Sequence, residues 1–208
     1  MGVYIAGFAA YWIISLNLVW LANYLIKALQ MSPTDAAWVI ALPSAMQMIL
    51  APSVAYFSQR LSQAGVSSRI SRGILGTLCV MIGGLSMACM PFVPLGPLKV
   101  FLVGLTFSVA SVIFTLGSTL IGEISPASQR GAMLGITNSV HTLAGLCAPF
   151  VMGRIVDITL DPAEGFRTGF VYAGSLVAAL GLLAALLINP EKDVGRFRAS
   201  WRLPNAAH

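Results

Sequence analysis

The sequence predicts an all-α membrane protein with six transmembrane helices, and three observations carry that expectation. Apolar residues make up 57% of the 208 residues and charged residues 9%, against about 45–50% and about 25% in a soluble domain. Apolar runs near 3–26, 37–57, 73–93, 98–121, 131–153 and 168–188 each hold 21 residues or more, and about 20 helical residues cross the roughly 30 Å hydrocarbon core. These runs use nearly the whole chain, so residues 1–190 are expected to form one six-helix bundle and residues 191–208 a basic cytoplasmic tail.

Each span has its own boundaries. No Lys or Arg precedes span 1, which is long enough to cross the membrane, so it does not resemble a cleavable signal peptide. Ala6 also stands where a myristoylation signal needs Ser or Thr. A polar turn at 31–35 leads into span 2, which contains Pro43 and Pro52, and a basic, Ser-rich loop at 58–72 leads into span 3. A Pro-Gly turn at 91–97 precedes span 4, a short link at 122–130 precedes span 5, and an acidic loop at 157–167 precedes span 6. Connections this short imply antiparallel neighbours. Cys79, Cys89 and Cys147 lie inside spans without Cys-x-x-Cys spacing and read as packing residues, so no metal site is expected. No cofactor is expected either, and without a Gly-x4-Gly-Lys-Ser/Thr loop ATP hydrolysis is not.

The net charge of +5 might suggest nucleic acid, but the positions of the charges matter more than their sum. With both termini in the cytoplasm, the inner side receives Arg60, Arg69, Arg72, Arg130, Lys192, Arg196, Arg198 and Arg202. The outer side receives Lys27, Lys99, Arg154 and Arg167. That imbalance is the positive-inside pattern. The expected surroundings are a lipid bilayer, taken to be a bacterial inner membrane, and not nucleic acid. The tail from Lys192 to Arg202, with Phe197 and Trp201, reads as a solvated topogenic end or a segment lying on anionic lipid.

Residues 123–157 are the most informative stretch, because Asn138, His141 and Pro149 stand in mid-span. Polar groups at bilayer depth are costly and persist where they face protein or a water-filled path. Asn138, His141 and Thr142 on span 5, Asn17, Trp20 and Tyr24 on one stripe of span 1, and Gln47 on span 2 are therefore candidates to line a substrate path. For Trp20 and Tyr24 the alternative is helix-to-helix hydrogen bonding and interfacial anchoring. His141 suits either a proton relay or a neutral hydrogen-bond partner.

Glu123 ends span 4 and Arg130 opens span 5, entered through Ser125 as cap and Pro126 at the first helical position. Each charge faces the wrong pole of its helix macrodipole. Pairing with each other is the simplest remedy, either as a cytoplasmic gate with Arg60 or as an ordinary surface ion pair. Arg154 and Asp157, one turn apart, are expected either to pair locally or to gate the outer mouth, and Gly131 and Gly135 to admit a neighbouring helix within the bundle. Ala51-Pro52-Ser53-Val54 in span 2 echoes Ala148-Pro149-Phe150-Val151 in span 5, from an inverted repeat of Pro-interrupted helices or by chance.

Glu123, Pro126, Arg130-Gly131, Gly135, Gly145, Pro149 and Gly153 resemble the tenth-to-eleventh-helix region of the major facilitator superfamily. Trp20-Leu21-Ala22-Asn23-Tyr24-Leu25, Leu42-Pro43 and Phe166-Arg167-Thr168-Gly169-Phe170 are most like its anion:cation symporter family. Two departures stand out: Gln59-Arg60 where an Asp-Arg pair is common, and Asn23 where Pro is common. The resemblance covers the carboxy-terminal half of a twelve-helix protein. It implies a 3+3 inverted repeat and no enzyme activity. The implied function is a secondary active transporter, or its carboxy-terminal half, moving a small organic solute, such as an organic anion, by alternating access. A proton or sodium gradient would drive it. The partner would be a second six-helix half or a second copy of the chain. An inactive truncated fragment is the main alternative. A distant one is an intramembrane serine protease built on Ser86, in Gly84-Leu85-Ser86-Met87, and His141.

Overall fold

Backbone N–H and C=O groups have no water to bond in hydrocarbon, so a spanning chain must satisfy them internally. In the computed structural model, which describes residues 1–189, helices do this and no strand occurs among the described residues. Span 1 is α1 (Gly2–Leu16), prolonged by π turns at Asn17–Leu21 and Tyr24–Ala28. Span 2 is α2 (Pro33–Gln63), and span 3 joins a π turn at Arg69–Ile74 to α3 (Leu75–Cys89). Span 4 is α4 (Pro97–Val109) followed by α5 (Val112–Ile124); span 5 is α6 (Arg130–Asp157), and span 6 is α7 (Pro162–Leu187). All six are long and apolar enough to cross a membrane. The basic tail expected at 191–208 lies outside the described residues.

Local chemistry explains several ends. Ser32 caps α2, its Oγ accepting from the Asp35 N–H at 3.1 Å ahead of Pro33 in the first turn. Asp161 does the same for α7, accepting from the Ala163 N–H at 2.9 Å ahead of Pro162. Ser125 does not cap α6 as expected. It ends α5, and α6 begins at Arg130 after a turn closed by Gln129 N–H to Pro126 carbonyl at 3.0 Å. The interior prolines do not interrupt their helices either, since α2 runs through Pro43 and Pro52 and α6 through Pro149. The break falls instead in span 4 at Ala110–Ser111, where the Ser111 hydroxyl donates to the Ser108 carbonyl at 2.6 Å.

Span 1 packs against α6 and α7, span 4 packs against α2 and α3, and α3 packs against α7. Exchanging spans 1–3 with spans 4–6 leaves this pattern unchanged, which is the arrangement of a 3+3 inverted repeat. Its closest approach is between α3 and α7. A Cβ added at Gly84 would lie 2.6 Å from the Ala178 nitrogen and 2.8 Å from the Gly174 carbonyl oxygen, and one at Gly174 would meet the Gly84 carbonyl. The two backbones therefore touch through glycine. Gly131 and Gly135 do not have the packing role expected of them. Both are exposed, and a Cβ at either meets nothing within 4 Å.

The apolar core gathers Ile13, Leu16, Leu21, Met87, Val103, Phe166 and Phe170, all buried. Spans 2 and 5 contribute least to it: 11% and 22% of their most apolar windows are buried, against 67% for span 4. Most of the surface of α2 and α6 is thus left bare. Gly174→Val should cost about 1–3 kcal/mol or abolish folding, because a side chain is forced between backbones. Gly131→Ala and Gly135→Ala should melt like the parent in detergent.

Candidate functional site

A cavity of about 270 Å3 opens between α1, α5 and α6, with Tyr11, Phe114, Ser118, Thr137, Asn138 and His141 among its lining residues. The His141 ring is held from two sides. It meets Phe114 edge-on at 5.5 Å, and Gly7 is kept free of a side chain because a Cβ there would overlap the imidazole. His141 is 6% exposed, and its Nε2 has no hydrogen-bond partner. That nitrogen is at the ring tip turned toward Gly7 of α1, so it is buried in the helix contact while the ring forms part of the cavity wall. Asn138 stands at the mouth, exposed, with its amide making no hydrogen bond to any described residue. Tyr11 packs its ring on Phe114 at 6.2 Å and against Gly145. Such an arrangement presents an amide and a phenol, with the imidazole ring in the wall, to one small polar molecule.

The other expected lining residues lie elsewhere. The Trp20 indole N–H donates to the Pro149 carbonyl at 3.1 Å and its ring meets Phe166 at 5.8 Å. Tyr24 is buried against Phe166 and Phe170 with its hydroxyl beside Lys99. Those two contacts fasten span 1 to α6 and α7. Asn17 sits half-buried at the first π turn, outside the cavity lining. The hydroxyl of Thr142 donates to the Ser139 carbonyl of its own helix at 3.0 Å, and Gln47 lies on the exposed face of α2. The stripe expected on span 1 fails because its π turns hydrogen-bond i to i+5, so a 100° step per residue no longer places side chains correctly. Tyr11, in the regular part of α1, was the lining residue that sequence reasoning missed. An aromatic with a polar tip at mid-span was its only signal.

At one end of the bundle Glu123 pairs with Arg72, not with Arg130, and accepts a hydrogen bond from the Ser68 hydroxyl at 3.1 Å. Arg130 lies alongside Gly122 and reaches no carboxylate among the described residues. Arg60 turns onto its own helix, donating to the Tyr56 hydroxyl at 2.8 Å. Span 3 approaches the α5 terminus with a cation in its first turn, and the sequence neighbour across the link does not. Arg154 and Asp157 are likewise not paired. No group of residues suited to hold a metal occurs among the described residues. Gly84 serves helix packing, and no hydrogen bond joins Ser86 to His141, so nothing supports a protease.

The sequence matches the family described as Major Facilitator Superfamily over residues 3–206. It is 26% identical over 197 residues to the probable galactarate/D-glucarate transporter GudP of Bacillus subtilis (strain 168), covering 93% of this chain and 41% of that protein. It is 27% identical over 149 residues to the probable anion transporter 6, chloroplastic, of Arabidopsis thaliana, covering 68% of this chain and 28% of that one. For the probable anion transporter 5, chloroplastic, of Oryza sativa subsp. japonica the figures are 28% over 144 residues, 68% and 30%. The chain thus spans less than half the length of each of these relatives.

A double-mutant cycle on detergent melting should give Arg72 and Glu123 a coupling of about 1 kcal/mol, as expected of a partly exposed pair. The same cycle on Glu123 and Arg130 should give none.

Proposed function

We propose a function from a plain premise: the chain belongs to the Major Facilitator Superfamily, and it supplies one six-helix half of a carrier that moves a small organic anion by alternating access. The observation that carries this reading is the cavity of Tyr11, Asn138 and His141, which opens on a bundle whose α2 and α6 are largely unpacked. A second six-helix unit set against α2 and α6 would close the cavity, and rocking of one unit on the other would expose it to each side in turn. That unit is either a separate amino-terminal half or a second copy of this chain.

The anion class comes from the relatives, whose names specify galactarate, D-glucarate or anions. The site chemistry suits it, because the Asn138 amide and Tyr11 phenol offer donors to carboxylate oxygens and acceptors to hydroxyls. A proton or sodium gradient drives the uptake. His141 either carries the coupling proton or stays neutral and hydrogen-bonds the solute. Arg72 and Glu123 then form the inner gate, a partly exposed pair that closes one conformation and parts in the other.

Orientation follows the charge asymmetry, with both termini in the cytoplasm of a bacterial inner membrane. A periplasmic reporter fused after Leu95 should be active and one fused after His208 inactive, and the reverse outcome defeats this topology.

The test of function is radiolabelled D-glucarate uptake by cells expressing the chain, alone and with an amino-terminal half of a related carrier. Saturable uptake above vector cells is expected, and Asn138→Ala should lower it about tenfold or more, the scale of one lost solute hydrogen bond in a desolvated site. Uptake that remains pH-dependent in His141→Gln removes the proton relay. No uptake in either setting, with the protein folded in the membrane, defeats the reading.

A further inference from the structure

We propose that Lys99 is the anchor of a second anion site, for a small hydroxylated carboxylate, at the end of the bundle opposite the Arg72–Glu123 pair. Lys99 stands in the first turn of α4 and is 5% exposed. Its Nζ lies 3.3 Å from the Tyr24 hydroxyl and 5.8 Å from the centre of that ring. Those are weak compensations for a buried ammonium, which keeps donors unused and is costly without a counter-charge. Among the described residues the only ion pair within 4.0 Å is Arg72–Glu123, so no carboxylate of this bundle neutralises Lys99.

Lys99 is not sealed in packing. It lines a cavity of about 280 Å3 where the ends of four spans meet, with Tyr24, Pro91, Asp161, Glu164 and Arg167. Arg167 is exposed at the rim with its guanidinium over the Phe92 ring at 4.8 Å, a stacking that leaves its N–H edges free. Asp161 and Glu164 are also exposed, and one Asp161 oxygen already caps α7. A ligand whose carboxylate meets Lys99 and the Tyr24 O–H, and whose hydroxyls accept from Arg167 and donate to Glu164 and Asp161, uses each of these groups. A halide would leave most of the space and both rim acids unaddressed. The Tyr24 hydroxyl can accept from Nζ while donating its own proton to the anion, which explains a phenol buried beside an ammonium.

This site deepens the proposed function by giving the transported class a first stop at the mouth, but it is read without transport. The full chain in nanodiscs is melted against D-gluconate, a hydroxylated monocarboxylate, with sodium chloride at matched ionic strength as control. Gluconate should raise Tm saturably and chloride should not. Lys99→Gln should melt no lower than the parent without gluconate, since it removes an uncompensated charge, and its gluconate midpoint should weaken about tenfold or vanish. Lys99→Arg should recover part of the response, and Arg167→Gln, at an exposed position, should weaken it while leaving the unliganded Tm alone.

Four results overturn the site: no gluconate response in the parent, an equal response to chloride, an unchanged midpoint in Lys99→Gln, or a Lys99→Gln protein that melts clearly lower while Arg167→Gln responds normally. A response lost in Asn138→Ala and kept in Lys99→Gln places the anion in the central cavity, which removes this site and leaves the proposed function standing.

Discussion

The close crossing of α3 and α7 at Gly84 and Gly174 is the contact on which the rest of the bundle rests. Lipid tails are as apolar as the side chains they touch, so helices in a bilayer associate through close packing and not through expulsion of water. Two glycines meeting across the crossing allow backbone-to-backbone approach. Because spans 3 and 6 are exchanged by the internal symmetry, their contact lies on its axis. Spans 1 and 4 then lean on this pair, and spans 2 and 5 are left on the outside of the repeat with much of their surface bare.

Most hydroxyl side chains in the spans carry no message about function. Ser15, Ser53, Thr77, Ser118, Thr119, Thr137, Ser139 and Thr142 all donate to carbonyls three or four residues back on their own helices. That is the cheapest way to satisfy a hydroxyl in hydrocarbon. The polar groups that their own helix does not satisfy include Asn138 and His141 at mid-depth, Lys99 with Tyr24 at one end and Arg72 with Glu123 at the other, beside Trp12, Ser71 and Thr106 buried in the packing. Lys99 with Tyr24, Asn138 with His141, and Arg72 with Glu123 give the bundle a charged end, a neutral polar middle and a charged end.

The sequence by itself determined the number of spans and their order, because hydropathy and length are properties of consecutive residues. Ser32-Pro33 and Asp161-Pro162 open their helices as their chemistry requires. It also pointed to Asn138 and His141, since an amide and an imidazole at mid-span are unusual whatever surrounds them. Only the tertiary structure decided which faces meet. It gave Glu123 to Arg72 and left Arg130 without a carboxylate among the described residues, took Trp20 and Tyr24 out of the cavity through two π turns, and placed the close glycine crossing at Gly84 and Gly174 instead of Gly131 and Gly135. It also buried Lys99, a residue that sequence alone would send snorkelling to water from a helix end. The physical reason is common to all four: a local pattern sets what a helix is, but its partner is chosen by shape and charge on residues distant in the chain.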